Sequence, residues 1–279
     1  MTIKELLERG AKSLKRAGVP EPELDAGILL ETAANVNRSD CYLHPEREVD
    51  SDSLHAYLVM LERRCAREPL QHIVGRTEFM GLPFICDGRA LIPRQDTETL
   101  VELAIEAAKD IEGPEILDLC TGTGCIAVSL SHYIPKSFIT GADISGEALS
   151  LARENGALNG ADIRWLESDM FEGLSGRSFD MIVSNPPYIR GREIENLMPE
   201  VRAFDPILAL DGGEDGLSFY RILAEQAGDF LKPRGRLLVE IGDEQAGEVS
   251  GLLEKNFRDI HVYKDLCRND RVVAAVKKG

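Results

Sequence analysis

The chain runs to 279 residues, 43% of them hydrophobic, which is enough for one α/β domain of common size plus a smaller helical one. Forty-eight acidic against 32 basic side chains leave a formal charge of −16; residues 1–75 offer no basic platform to offset it, so direct nucleic-acid binding is not expected. The six cysteines, Cys41, Cys65, Cys86, Cys120, Cys125 and Cys267, have no paired spacing and no flanking histidines, and no apolar run reaches the length of a membrane span, so metal, disulfide and membrane classes are set aside and a cytoplasmic location is expected.

Ile3, Leu6, Leu7, Leu14 and Ala17 recur near helical spacing until Gly18 and Pro20 stop the pattern, and Leu24 to Ala34 and Leu54 to Cys65 repeat it. Residues 1–75 are expected to form a small helical bundle, either a lid or oligomerisation element or a platform that recognises a protein partner. Phe79-Met80-Gly81-Leu82-Pro83-Phe84-Ile85 has extended character with a Gly-Leu-Pro turn, which predicts a hairpin within a linker over residues 76–92. From Thr97, placed to cap a helix with Glu98 in its first turn, apolar residues follow at Leu100, Leu103, Ala104 and Ala107.

The rest of residues 93–279 alternates. Strands are expected at Ile116 to Leu119, Phe138 to Ala142, Ile163 to Leu166, Met181 to Val183 and Leu237 to Ile241, with helices over Ile126 to Leu130 and Ser145 to Asn159. This pattern predicts a mostly parallel, doubly wound sheet with its ligand at the carboxyl ends of the central strands. Ile260 to Leu266 and Arg271 to Val276 are joined by Arg268-Asn269-Asp270, too short for a crossover, so they pair antiparallel. An antiparallel last strand on such a sheet favours a Rossmann-like seven-stranded methyltransferase domain over a dehydrogenase.

Asp118-Leu119-Cys120-Thr121-Gly122-Thr123-Gly124 is a strand running into a loop of small residues. Its glycines allow a tight turn and close backbone approach to a ligand, although Cys120 stands where such loops usually carry glycine. Asp143 ends the next strand, where a carboxylate can accept hydrogen bonds from both ribose hydroxyls of an adenosine, and Asp169-Met170 after the third strand would lie near the adenine. The alternatives are a bare packing turn, a helix cap at Asp143 and a turn cap at Asp169.

Asn185-Pro186-Pro187-Tyr188 follows the apolar run Met181-Ile182-Val183. An amide or aromatic amine nitrogen delocalises its lone pair, so its methylation requires acceptors that hold the NH2 group while the nitrogen pyramidalises in line with the sulfonium carbon of S-adenosylmethionine. The Asn185 side-chain oxygen and the Pro186 carbonyl can each accept one N–H, consecutive prolines restrict the backbone that aims them, and Tyr188 would pack against the flat acceptor. Near-attack positioning then supplies most of the rate, and no dedicated base is needed.

With these residues the chain resembles the peptide chain release factor N(5)-glutamine methyltransferases (the PrmC/HemK family). The likeness extends through Pro69 to Gly75, through Leu91-Ile92-Pro93-Arg94-Gln95-Asp96-Thr97-Glu98, and through Asp211-Gly212-Gly213-Glu214-Asp215-Gly216-Leu217. It implies S-adenosylmethionine as cofactor, lined by Cys120, Thr121, Gly122, Thr123, Gly124, Asp143, Met170 and Asn185, to which the position of Asp169 after the third strand adds a further candidate. It also implies a partner, the Gly-Gly-Gln domain of release factors, whose glutamine is gripped by Asn185, Pro186, Pro187 and Tyr188, and it makes the helical domain the docking element. Position 170 is commonly aromatic in the family. Arg94, Asp96 and Glu98 are read either as ion-pairing residues at the domain junction or as substrate contacts, and a monomer is expected. Rival readings are an adenine-N6 methyltransferase of DNA or RNA, against which the charge argues, a glutamine methyltransferase of a ribosomal protein, an NAD-dependent dehydrogenase, which leaves Asn185 to Tyr188 without a task, and a non-enzymatic cofactor-binding regulator.

Overall fold

The computed structural model describes all of residues 1–279. It divides into two compact units, Met1–Gly75 together with Met198–Phe204, and Arg76–Leu197 together with Asp205–Gly279.

The smaller unit contains α1 (Ile3–Arg16), α2 (Pro22–Ala34), α3 (Arg38–Leu43), α4 (Ser51–Cys65) and α5 (Leu70–Val74). Helix α1 starts at a capping box: Thr2 Oγ1 accepts from the Glu5 amide at 3.3 Å while Glu5 Oε2 accepts from the Thr2 amide at 2.9 Å. Ile3, Leu6 and Leu14 pack with Leu29, Leu30, Tyr57 and Leu61. Gly10 lets two helices approach, since a Cβ there would sit 2.0 Å from the Tyr57 hydroxyl, which donates to the Leu6 carbonyl at 3.1 Å. The returning segment carries Glu200, which joins Arg64 at 3.0 Å and Arg67 at 2.6 Å, while Arg64 also meets Asp25 at 2.7 Å. The short helices α3 and α5 have too few turns to show a period, and the sequence reading passed over them.

The larger unit opens with a hairpin, β1 (Arg76–Phe79) and β2 (Leu82–Ile85), in which Phe79 pairs with Leu82. Its turn is therefore Met80-Gly81, not the expected Gly-Leu-Pro. Both residues have positive φ, 51° and 72°, as a two-residue turn matching strand twist requires, and Pro83 sits inside β2. Phe79 and Phe84 are buried with Leu100, Val101 and Ala104, and Asn155 brackets Ile85, accepting from its amide at 2.7 Å and donating to its carbonyl at 3.2 Å.

Beyond the hairpin come α6 (Glu98–Ala108), β3 (Glu115–Leu119), α7 (Cys125–Tyr133), β4 (Phe138–Asp143), α8 (Gly146–Leu158), β5 (Ile163–Glu167) and β6 (Phe179–Ser184). After α9 (Pro199–Phe204), which belongs to the smaller unit, follow α10 (Ser218–Phe230), β7 (Leu231–Glu240), α11 (Ala246–Leu253), β8 (Phe257–Lys264) and β9 (Asp270–Lys277). The seven strands are ordered β5-β4-β3-β6-β7-β9-β8, parallel from β5 to β7, with β9 antiparallel to both its neighbours. Alternation decides the two faces: Leu117, Ile182, Leu237 and Val239 pack toward α10 and α11, and Ile116, Met181, Val183 and Leu238 toward α6 and α7. Strand β7 begins six residues before the expected Leu237, because its first part, Lys232-Pro233-Arg234-Gly235, has the composition of a turn; it joins β6 through a register shift between Phe179 and Met181.

Candidate active site

Three residues of the loop after β3 have left-handed backbone: Cys120 at φ 63°, Gly122 at 54° and Gly124 at 79°. The two glycines adopt this freely, whereas Cys120 does so at a cost of roughly 1 kcal/mol; the tight turn forms despite the side chain. Met170, on the facing loop, is strained in the same sense at φ 43°, and its sulfur lies 3.9 Å from the Cys120 sulfur. Two of the nine non-glycine residues with positive φ thus meet here, and strained backbone is often kept at functional sites.

The loop is tied from both sides. Asp118, fully buried, accepts from the Thr121 hydroxyl and from the Ala127 amide at 3.1 Å, and burial pushes its carboxyl up to about 7. Asp143 receives the Gly122 amide at 2.8 Å and the Ser145 amide at 2.9 Å; burial raises its pKa although these amides favour the anion. The α8 cap itself is Ser145, whose hydroxyl accepts from Ala148 at 3.1 Å. Gly124 and Gly141 make room for Trp165, from which Cβ atoms there would lie 2.8 Å and 2.4 Å away.

The turn after β6 is built by distant residues. Ser184 donates to the Leu119 carbonyl at 2.7 Å and so joins the ends of β6 and β3. Asn185 Nδ2 donates to the Thr97 hydroxyl at 3.2 Å. Thr97 stands at the start of α6, as expected of a cap, but its side chain makes no capping hydrogen bond; a 3-10 turn over Gln95–Thr97 precedes the helix and frees the hydroxyl for Asn185. Pro186 and Pro187 are buried. Tyr188 is held by its backbone: Gln245 Nε2 donates to its carbonyl at 3.1 Å, and Gly212 and Gly216 press against it so closely that Cβ atoms would lie 2.8 Å from its Cα and 2.5 Å from its carbonyl oxygen. Burial pushes the Tyr188 phenol up to about 12.

Arg94, Asp96 and Glu98 all find partners within the larger unit: Asp205 at 2.9 Å, Arg271 at 3.6 Å and the Met80 amide at 2.7 Å. Sequence reasoning passed over the polar roles of Thr97, Glu240 and Gln245. For Glu240 a signal existed, since an acid ends the apolar run Leu237-Leu238-Val239 as Asp143 ends β4.

One cavity at the carboxyl ends of β3, β4 and β6 is walled by Cys120, Thr121, Gly122, Thr123, Asp143, Asp169, Met170, Asn185 and Pro187. Gly124, Pro186 and Tyr188 do not line it. The remainder is largely apolar, including Leu91, Ile92, Leu119, Ile144 and Phe219. Bare backbone at Gly122 with nothing within 4 Å of its missing Cβ, the half-buried Asp143 beside it and apolar walls suit an adenosine carrying a methionine chain.

Two families match in tandem, the PrmC N-terminal domain over residues 5–75 and the methyltransferase small domain over residues 96–201. The release factor glutamine methyltransferase of Deinococcus radiodurans is 42% identical over 279 residues, covering 100% of both chains, and that of Geobacter sulfurreducens is 40% identical over 273 residues, covering 98% of this chain and 95% of the other. The chain belongs to the release factor glutamine methyltransferases. As a member it is an enzyme whose methyl donor is S-adenosylmethionine. Among solved structures, a 16S rRNA N2 methyltransferase of T. thermophilus, in complex with AdoMet and guanosine, is alike with a TM-score of 0.54 at 19% identity, covering 73% of this chain and 50% of that one. That likeness is one of fold alone.

Proposed function

We propose that the protein transfers a methyl group to the side-chain amide nitrogen of the glutamine in the Gly-Gly-Gln motif of peptide chain release factors, and thereby modulates translation termination. The observation that carries this reading is that Asn185 shares a cavity wall with Gly122 and Asp143, in a chain alike over its whole length to enzymes named for this reaction.

S-adenosylmethionine, when bound, supplies an electrophilic methyl carbon on sulfur. Cys120 to Gly124, Asp143, Asp169 and Met170 would hold it, with the Asp143 carboxylate accepting ribose hydroxyls and the strained Cys120 and Met170 backbones shaping the walls. Asn185 Oδ1 and the Pro186 carbonyl would accept the two N–H bonds of the glutamine amide, and Pro187 and Tyr188 would confine its plane. This removes the amide's freedom and aims the nitrogen lone pair along the axis of transfer. The amide proton becomes acidic only as the new N–C bond forms, so no strong base is required. Residues 1–75 would recognise the release factor. The enzyme would act as a monomer in the cytoplasm, consistent with there being no helix long and apolar enough to cross a membrane.

Mass spectrometry of release factor incubated with the protein and S-adenosylmethionine is expected to show a gain of one methyl on the Gly-Gly-Gln peptide. Replacing Asn185 by Ala is expected to reduce transfer by about a thousandfold while cofactor binding stays within about tenfold. Methyl incorporation into ribosomal RNA, DNA or a ribosomal protein in place of release factor would overturn the assignment.

A further inference from the structure

One carboxamide inside the larger unit is bonded to two separate segments that wall the cavity. Asn155, on α8, is fully buried. Its Oδ1 accepts from the Ile85 amide at 2.7 Å, and its Nδ2 donates to the Ile85 carbonyl at 3.2 Å and to the Thr123 carbonyl at 3.0 Å. Both N–H donors of the side chain are therefore spent, one on each segment. Alternation from the Met80-Gly81 turn makes Ile85 and Arg76 a non-bonded pair, so the Ile85 amide and carbonyl face away from β1 and Asn155 takes the place of a third strand. Ile85 leads into the segment whose residues Arg89 to Arg94 line the cavity, and Thr123 lines it from the loop after β3. Other ties between α8 and this segment bypass that loop. Arg89 reaches Glu154 at 2.6 Å in a pair at the surface, which holds weakly, and Asn159 donates to the Pro83 carbonyl at 2.9 Å but bonds nothing in the loop after β3.

We propose that Asn155 is a positioning residue for the methyl donor: it fastens the strand end at Ile85 to the Thr123 carbonyl, so that the linker and the loop after β3 close on S-adenosylmethionine as one body. The inference rests on the cofactor site proposed above. Holding the Thr123 carbonyl fixes the peptide plane it shares with the Gly124 amide, which closes the turn on the Thr121 carbonyl at 2.8 Å. The same helix presses on the loop one turn earlier, where a Cβ on Gly124 would lie 3.1 Å from that of Ala152. Removing the carboxamide leaves backbone groups of both segments without partners in a buried place. Because cofactor and fastening favour the same arrangement, each strengthens the other by an equal factor.

The test uses the full chain. In the parent, saturating S-adenosylmethionine is expected to slow hydrogen exchange of the Ile85 amide, followed by NMR, by about tenfold or more. Asn155→Asp keeps the shape and the acceptor for the Ile85 amide but has no N–H for either carbonyl; Asn155→Ala removes all three bonds; Asn159→Ala frees the hairpin from α8 at Pro83 alone. Both Asn155 variants are expected to weaken S-adenosylmethionine binding in calorimetry about tenfold and to raise its KM by a similar factor, with kcat at saturating cofactor and the KM for release factor within about twofold. In both, the cofactor is expected to lose its effect on exchange at Ile85. Asn159→Ala is expected to keep that effect and to stay within about twofold of the parent in affinity. Unchanged cofactor affinity in the Asn155 variants, an equal loss in Asn159→Ala, or an Ile85 amide indifferent to cofactor in the parent would each overturn the proposal, and the last needs no variant to fold. Cofactor binding that leaves the Gly122 amide resonance unmoved would instead defeat the cofactor site itself.

Discussion

The two halves of the cavity are made in different ways. The loop after β3 takes its shape from neighbours in sequence, with left-handed residues at three of five positions from Cys120 to Gly124 and an aspartate one strand away that holds the Gly122 amide. The turn after β6 has two prolines and little local bonding. Its position comes from Thr97, Gln245, Gly212 and Gly216, each far from it in sequence. A cofactor common to many enzymes can be held by a short transferable loop, whereas aiming one particular amide needs support from several elements at once.

That contrast can be broken on the acceptor side with the least chemical change. Gly216→Ala places a Cβ 2.5 Å from the Tyr188 carbonyl oxygen and 2.8 Å from Gln245 Nε2, at φ 76°. Transfer to release factor is expected to fall about a hundredfold with cofactor affinity nearly unchanged, read by steady-state kinetics beside calorimetry. The converse substitution, Asp143→Ala, unties the loop and removes the carboxylate proposed to accept the ribose hydroxyls; calorimetry is expected to show S-adenosylmethionine affinity reduced about tenfold, or about 1.4 kcal/mol, in the free enzyme. Equal effects of the two changes on affinity would dissolve the distinction.

A third contrast concerns the buried acid and is read in stability, not in affinity. Burial pushes Glu240 up from 4.5 to about 7, against the Thr97 hydroxyl, the Arg271 charge and the Tyr188 hydroxyl, with Asp96 adding to the rise; Cys125 and Tyr220 also feel its charge. A raised carboxyl binds more protons folded than unfolded between those values. Its contribution is therefore most favourable below about 4.5 and is lost as pH rises toward 7. The stability of the parent relative to Glu240→Gln, measured by denaturant unfolding, is expected to decline by about 3 kcal/mol from below pH 4.5 to above 7 and then to level off. A difference independent of pH would mean that Glu240 is solvated.

The larger sheet was legible because each strand carries its own apolar run and the helices between them their own period. What the sequence hid was local conflict. Lys232-Pro233-Arg234-Gly235 has the composition of a turn and pairs with no residue of β6, lying in the register shift between the pairs Phe179–Leu231 and Met181–Arg236, with Arg234 at φ 64°. Met80-Gly81 outcompetes Gly-Leu-Pro as the hairpin turn because the register of Phe79 against Leu82 leaves only two residues to bend. Thr97 looks like a helix cap and sits where one would, but its hydroxyl is taken by Asn185, 88 residues away.

Spacing and residue type alone determined that strands alternate with helices, that glycines and an acid gather at the end of the first two, and that Asn185-Pro186-Pro187-Tyr188 terminates the fourth strand of the sheet. These are properties of short segments, whose periods and turn chemistry act within a few residues. Only the tertiary structure decided which hydroxyl meets Asn185, which glycines admit the Tyr188 backbone and which carboxyl lies beneath them. Such contacts join residues distant in the chain, and their energy comes from burial and close approach, quantities that exist only once the elements have packed.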